Sequence, residues 1–353
     1  MFFVLSKCFL FIYITFRYAV ASNSTLQFIN VVFRHGDRTP SPPYEMYPND
    51  PYNNYTFDPP NYGQLTKIGE RKVSEFGRFL RDKYCEFLDI DQVPDTIEAR
   101  STDLNRTKAS LNLLLQALYP GNIIKTTYQP LQSDTLLFPL FCKLFSEKYS
   151  QVKNMAEVKR IEEDFNDLKI QLSLWTGKEI KSLQDVNLIW VTLETEKSMG
   201  LELPEWSKNI YPNILTAVIA YYKIMNYNVE LRRLNGGMLV RKVTDDMNAV
   251  RNSTMDKNRK LMLYSAHDFN VVAVLSALNV YYPHAPKFSS AVIMELHLIH
   301  NIYYVKILYY LGERDKLEVL QIPGCNELCP FDQYKNLINT VIPSDFEWNC
   351  GKI

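Results

Sequence analysis

Apolar residues in this chain recur with two periods. Continuous runs of the kind that fill a buried strand occur at Phe28-Ile29-Asn30-Val31-Val32-Phe33 and Leu261-Met262-Leu263-Tyr264-Ser265-Ala266, with a shorter one at Thr96-Ile97-Glu98-Ala99-Arg100. Elsewhere the period lengthens. Val73, Phe76, Leu80, Tyr84 and Phe87 recur at helical spacing after Thr66, the run from Leu104 to Leu118 suits a second helix, and Asn270 to Leu278 a third. Residues 289–299 and 302–311 form two β-rich runs joined at His300-Asn301, which predicts a hairpin at the sheet edge. The stretch 133–225 is rich in helix formers, Lys and Glu, with Trp175, Trp190 and Trp206 interspersed. The pattern predicts an α/β fold, a Rossmann-like doubly wound mixed sheet flanked by helices with a smaller helical cap inserted. On this reading 22–132 and 226–353 build one discontinuous core and 133–225 the cap.

Each long strand run ends in polar residues. The first runs into Arg34-His35-Gly36-Asp37-Arg38-Thr39-Pro40. The pattern R-H-G-x-R-x-P fixes five positions, and average residue usage would produce it in roughly one such chain in ten thousand. Open α/β sheets bind ligands at the C-terminal ends of their strands. Guanidinium forks match phosphate oxygens and stay charged at any working pH. An imidazole held among fixed cations stays neutral and nucleophilic below the pH at which a free histidine protonates. Gly36 frees the backbone to turn close to a ligand, and Pro40 stiffens the exit. The second run ends in His267-Asp268, which places a carboxyl in a strand-to-helix turn. The third ends at Arg100, ahead of the cap-forming Ser101-Thr102-Asp103, so Arg100 is expected to join Arg34 and Arg38 around one anion pocket.

Composition adds the compartment. Met1 to Ala21 is apolar and ends in Ala19-Val20-Ala21, which reads as a signal peptide, and Arg17 inside it argues against a spanning helix. Six cysteines suit export; Cys325 and Cys329 stand four apart in a Pro/Gly-bounded loop fit for a local disulfide, and too few Cys and His stand at ligand spacing for a zinc site. Cys85, on the first helix, is expected to be a buried free thiol, with an intermolecular bond as the alternative. Sequons at Asn23, Asn54, Asn105 and Asn252 become usable on export, Asn105 less so because it opens a helix beside the pocket. The 39 basic and 39 acidic residues balance; without Lys7 and Arg17 the basic count becomes 37, a net of −2, and no nucleic-acid partner is implied.

The heptad at Arg34, the segment Arg100-Ser101-Thr102-Asp103 with Arg106-Thr107, and Tyr264-Ser265-Ala266-His267-Asp268 together resemble the histidine acid phosphatases, branch 2 of the histidine phosphatase superfamily. Gly63-Gln64-Leu65-Thr66, Leu234-Asn235-Gly236-Gly237 and Pro323-Gly324-Cys325 extend the resemblance from about Phe28 to Cys350. Tyr281-Tyr282-Pro283-His284 and Ile293-Met294-Glu295-Leu296-His297 look nearest to the insect branch that includes venom acid phosphatases.

The resemblance implies a secreted acid phosphatase, venom and lysosome being alternative destinations, that needs no metal or other cofactor. It implies that His35 attacks phosphorus and becomes a phosphohistidine, that Arg34, Arg38, Arg100 and neutral His267 hold the phosphoryl oxygens, and that Asp268 protonates the leaving alcohol. It also implies the pair Cys142–Cys350. Phe269-Asn270 depart from the small hydroxyl residues that many relatives carry there. The expected partners are small phosphate monoesters, with no nucleic acid, no stable membrane anchor, and a homodimer left open. Two further readings stand beside this one: a phytase or inositol-phosphate phosphatase on the same scaffold, and a non-catalytic, allergen-like secreted ligand-binding protein.

Overall fold

The structure, a computed structural model, describes residues 25–88 and 96–352. The expected signal peptide 1–21 and the sequon at Asn23 lie outside them. In chain order the elements are β1 (Leu26–Arg34), α1 (Lys67–Leu88), β2 (Ile97–Ser101), α2 (Asn105–Leu118) and β3 (Thr126–Thr127). Helices α3 (Lys143–Lys153), α4 (Ala156–Glu163), α5 (Asn166–Thr176), α6 (Leu183–Ser198), α7 (Glu205–Met225), α8 (Val229–Leu234) and α9 (Gly236–Arg251) follow. The chain then forms β4 (Leu261–Ala266), α10 (Asp268–Ala277), β5 (Ala291–Ile299), β6 (Ile302–Tyr310), β7 (Leu317–Leu320), β8 (Cys329–Pro330), α11 (Phe331–Ile338) and α12 (Asp345–Trp348).

These strands make one mixed sheet in the order β3-β2-β4-β1-β5-β6-β7, with β8 on β6. The mixed α/β architecture agrees with the sequence reading. Strands β2, β4 and β1 run parallel, and their register sets Arg34 opposite Ala266 and Arg100 opposite Tyr264, so their C-terminal ends open at one level. The hairpin is present, its two-residue turn made by His300 and Asn301 at φ 48° and 63°, as a primed turn requires. It does not form the edge, because the four-residue β7 pairs outside it.

Alternation along the strands feeds two cores. Phe28 and Val32 of β1 join Met262 and Tyr264 of β4 on the face shared with the helices of 143–251. Ile29, Val31 and Phe33 join Leu261 and Leu263 on the face covered by α1 and α2, through Val73, Phe76, Leu80 and Leu114. Burying side chains of this size contributes roughly 1.5–3 kcal/mol each. The motif loop lies directly on α1: a Cβ at Gly69 would meet the Asp37 carbonyl oxygen at 2.0 Å, and one at Gly36 would meet the Gly69 oxygen at 2.7 Å. Both positions therefore require glycine.

Disulfides join Cys142 to Cys350 and Cys325 to Cys329. The expectation for Cys85 fails. It is half-buried and disulfide-bonded, so it is neither a buried nor a free thiol. Asn54, Asn105 and Asn252 are all exposed. Among the described residues no helix is long and apolar enough to cross a membrane.

Candidate active site

β1 delivers Arg34 and His35 to the sheet's C-terminal rim, both buried at 3 % exposure. The His35 N–H donates to the Ala266 carbonyl at 3.1 Å, which pins the motif to the end of β4. Its ring Nδ1 lies 2.9 Å from the Gly36 carbonyl oxygen. A carbonyl only accepts, so Nδ1 carries the proton and Nε2 keeps its lone pair. Arg106 confirms that order, because its Nε–H donates to His35 Nε2 at 3.2 Å. Burial first, then the charges of Arg106, His267, Arg38 and Arg34, hold the His35 pKa well below that of a free imidazole. The ring is thus neutral, with its lone pair fixed on Nε2.

Arg34 leans on Phe288, its guanidinium carbon 3.9 Å from the ring centroid, and donates to the Pro286 carbonyl at 2.5 Å. Arg38 gives its two Nη groups to Glu45, each at 2.6 Å. Arg34 and Arg38 both keep a buried Nε–H with no partner among the described residues. Buried donors of this kind call for an acceptor, and an oxyanion supplies several.

The second outlet forms at the end of β4. The His267 ring sits 5.4 Å from that of His35, between the edge of Phe138 and the face of Phe269. Its Nε2 is 3.1 Å from Thr102 Oγ1, and burial followed by Arg106, Arg38 and Arg34 lowers its pKa well below the usual value. Asp268 opens α10, with Oδ1 accepting from Phe269 N at 2.7 Å and Oδ2 3.2 Å from Arg34 Nη2. Asn270, one of the two departures noted in the sequence, has a bridging task. Its Oδ1 accepts from His267 N at 3.1 Å and its Nδ2 donates to the Leu137 carbonyl at 3.0 Å.

The structure brings Arg34, His35, Arg38, His267 and Asp268 together but not Arg100. Arg100 pairs through Nη2 with the wholly buried Asp134 and faces a different cavity. Asp134 also accepts from Leu137 N at 3.1 Å. Burial raises the Asp134 pKa even though Arg100 opposes the shift, so loss of solvent outweighs the pair. Arg106 takes the place assigned to Arg100. Loss of solvent, then Arg38, pulls its pKa down to about 9, and it stays a cation at acid and neutral pH. The expected side-chain cap from Ser101, Thr102 or Asp103 is also missing: α2 is capped by Leu104 without a side-chain bond, and Thr107 Oγ1 donates to the Leu104 carbonyl at 2.8 Å.

Among the described residues no cluster of three or more His, Cys, Asp or Glu is placed to hold a metal ion. The charge in the pocket comes from guanidinium groups.

The chain matches the profile of the histidine phosphatase superfamily (branch 2) over residues 25–138 and 139–310. It is 41% identical to the venom acid phosphatase of Apis mellifera over 347 residues, covering 94% of this chain and 89% of that protein. Against the lysosomal acid phosphatase of Homo sapiens the identity is 29%, over 92% of this chain and 80% of the relative. Its backbone superposes on that of a Hafnia alvei phytase in complex with myo-inositol hexakis sulphate, with a TM-score of 0.72 at 17% identity, covering 93% and 99% of the two chains. That likeness shows a shared fold.

Proposed function

The chain belongs to branch 2 of the histidine phosphatase superfamily, and on that footing we propose that it hydrolyses phosphate monoesters through a phosphohistidine on His35. One observation carries the reading: the His35 Nε2 lone pair, fixed by the Nδ1–H bond to Gly36, points at a guanidinium rather than at a general base. A ring so placed is ready to attack an electrophile that brings its own negative oxygens.

The reaction follows from that arrangement. An entering phosphoryl group takes its oxygens to Arg34, Arg38 and Arg106, and the Arg106 N–H shifts from His35 Nε2 to a phosphoryl oxygen. Neutral His267 donates its ring N–H as a further hydrogen bond. His35 Nε2 forms the bond to phosphorus as the ester P–O bond breaks, and Asp268 gives its proton to the departing oxygen. Water then loses a proton to the Asp268 carboxylate and attacks phosphorus, and the P–N bond returns its electron pair to His35. Each preorganised donor contributes about 10²–10³ in rate, which guanidiniums supply here without a metal ion. The carboxyl must be protonated to act as the acid, which makes the activity that of an acid phosphatase.

Venom and lysosomal relatives, two disulfides and three exposed sequons support export of the protein. We assign 133–225 as a cap because its helices pack over one face of the sheet. Acid phosphatases among the sequence relatives favour simple monoesters over the phytase reading, and an intact His35, Asp268 and arginine set disfavours a merely ligand-binding protein.

Rapid mixing with a labelled aryl phosphate, quenched in alkaline denaturant, tests the assignment. The expected result is a stoichiometric burst of acid-labile protein phosphate that His35→Ala abolishes together with turnover. Label retained by folded His35→Ala would exclude the assignment.

A further inference from the structure

Arg100 belongs to a motif, yet the chemistry at His35 does not use it. It opens instead into a cavity of about 650 Å³ bounded by the β2–β3 edge, the start of α3, α9 and the segment after α12. Lys143, Lys242 and Lys352 line the same cavity, together with Gln132 and the indole of Trp348, and none of the lining residues is Asp or Glu. In a chain whose formal charges cancel, the lining of this concavity carries four cations and no carboxylate, while acids behind the walls pair with three of the four. The acids that steady these cations sit outside the lining: buried Asp134 pairs with Arg100, Asp246 lies 2.6 Å from Lys242, and Glu147 lies 3.7 Å from Lys143. A second observation points the same way. The Nε–H of Arg100 is buried and has no partner among the described residues, and such a donor is completed by an incoming acceptor.

The volume is that of a small-molecule site, which commonly measures roughly 300–1,000 Å³. Several cations spaced around the walls favour more than one anionic group, Trp348 offers a flat apolar surface, and the amide of Gln132 adds polar contact. We propose that this cavity is a second ligand site, for a small organic polyanion bearing phosphate or sulfate groups, separate from the pocket at His35. None of Arg34, His35, Arg38, Arg106, His267 or Asp268 lines it. The inference does not depend on the catalytic reading.

Calorimetric titration of the full protein with myo-inositol hexakissulfate, at low ionic strength, tests it, with inorganic phosphate as the comparison ligand. The double variant Lys143→Glu/Lys352→Glu is expected to weaken one binding event roughly tenfold or more, leaving kcat/KM for an aryl phosphate unchanged. Arg106→Gln is expected to leave that event in place and to weaken binding of inorganic phosphate. Should the double variant prove unstable, Gln132→Glu should weaken the same event alone. Absence of binding at millimolar probe, affinity indifferent to both cavity variants, or loss of all probe binding in Arg106→Gln would each overturn the proposal. Activity can fail while this event persists, so failure of the catalytic reading remains distinguishable.

Discussion

Two basic clusters lie along the same sheet, one at the ends of β1 and β4 and one at the β2–β3 edge, and they differ in their access to water. Around His35 the guanidiniums of Arg34, Arg38 and Arg106 face two imidazoles from which solvent is excluded, and both ring pKa values fall. Around Arg100 the cations reach solvent to different degrees, from 16% exposure at the Arg100 side chain to 82% at that of Lys143. A unit charge 4 Å away interacts at about 1 kcal/mol in water and about 4 kcal/mol at the effective dielectric of a protein. The enclosed set can therefore hold a nucleophile neutral and stabilise a transition state, whereas the open set can steer and retain a ligand.

The sharpest way to break this distinction is to remove one arginine from each side. Arg106→Ala is expected to lower kcat/KM about 10²–10³-fold with little loss of stability, since its partner His35 is neutral. Arg100→Ala is expected to cost about 3 kcal/mol of stability, because it strands the wholly buried Asp134 carboxyl, while kcat/KM changes less than tenfold. Steady-state kinetics and thermal denaturation of both variants decide the matter. Comparable kinetic losses would make the two concavities one site.

Asp268 tests the enclosed side alone. Asp268→Asn is expected to slow alkyl phosphates about 10²-fold more than nitrophenyl phosphate, since only the poorer leaving group needs the proton. Equal slowing of both esters would assign the carboxyl a positioning role through its 3.2 Å contact with Arg34 Nη2.

The depressed histidine pKa values also enter stability. His35 and His267 stay neutral in the fold, but in the unfolded chain they take up protons as the pH drops through about 6.5. The unfolded state then binds more protons, so this contribution is full above about 6.5 and is lost as the pH falls toward the folded pKa values. Each histidine contributes at most about 1.4 kcal/mol per pH unit. Thermal denaturation between pH 7 and 4.5 should show a shallower fall for His35→Ala than for the parent. Parallel curves would mean that His35 is protonated in the native protein.

Local signals in the sequence were enough for much of this site. The heptad names its own strand end, and the apolar runs before Arg34 and His267 are strands β1 and β4, which the structure pairs in parallel. Arg100 misled because position at a strand end was taken to decide its role. Its partner Asp134 lies 34 residues further on, a tertiary contact with no local trace. Arg106 did leave a trace: it is a cation in the first turn of α2, where no acid balances it and the helix dipole disfavours it. The four-residue β7 was too short to read by alternation, and it displaced the hairpin from the edge.

The smallest effect concerns Glu45, an anion beside the cationic pocket. Its carboxylate holds both Nη groups of Arg38 at 2.6 Å and accepts from Ser41 N at 2.7 Å, so the guanidinium fork is taken up before any ligand arrives. Glu45→Gln removes the charge and one acceptor, leaving a buried Arg38 donor to find another partner. Inorganic phosphate offers one, and its inhibition constant is expected to fall about threefold, near 0.7 kcal/mol. The charge-preserving Glu45→Asp should change it less. A rise in the constant for Glu45→Gln would show that the bidentate contact orients Arg38 toward phosphate instead of competing with it.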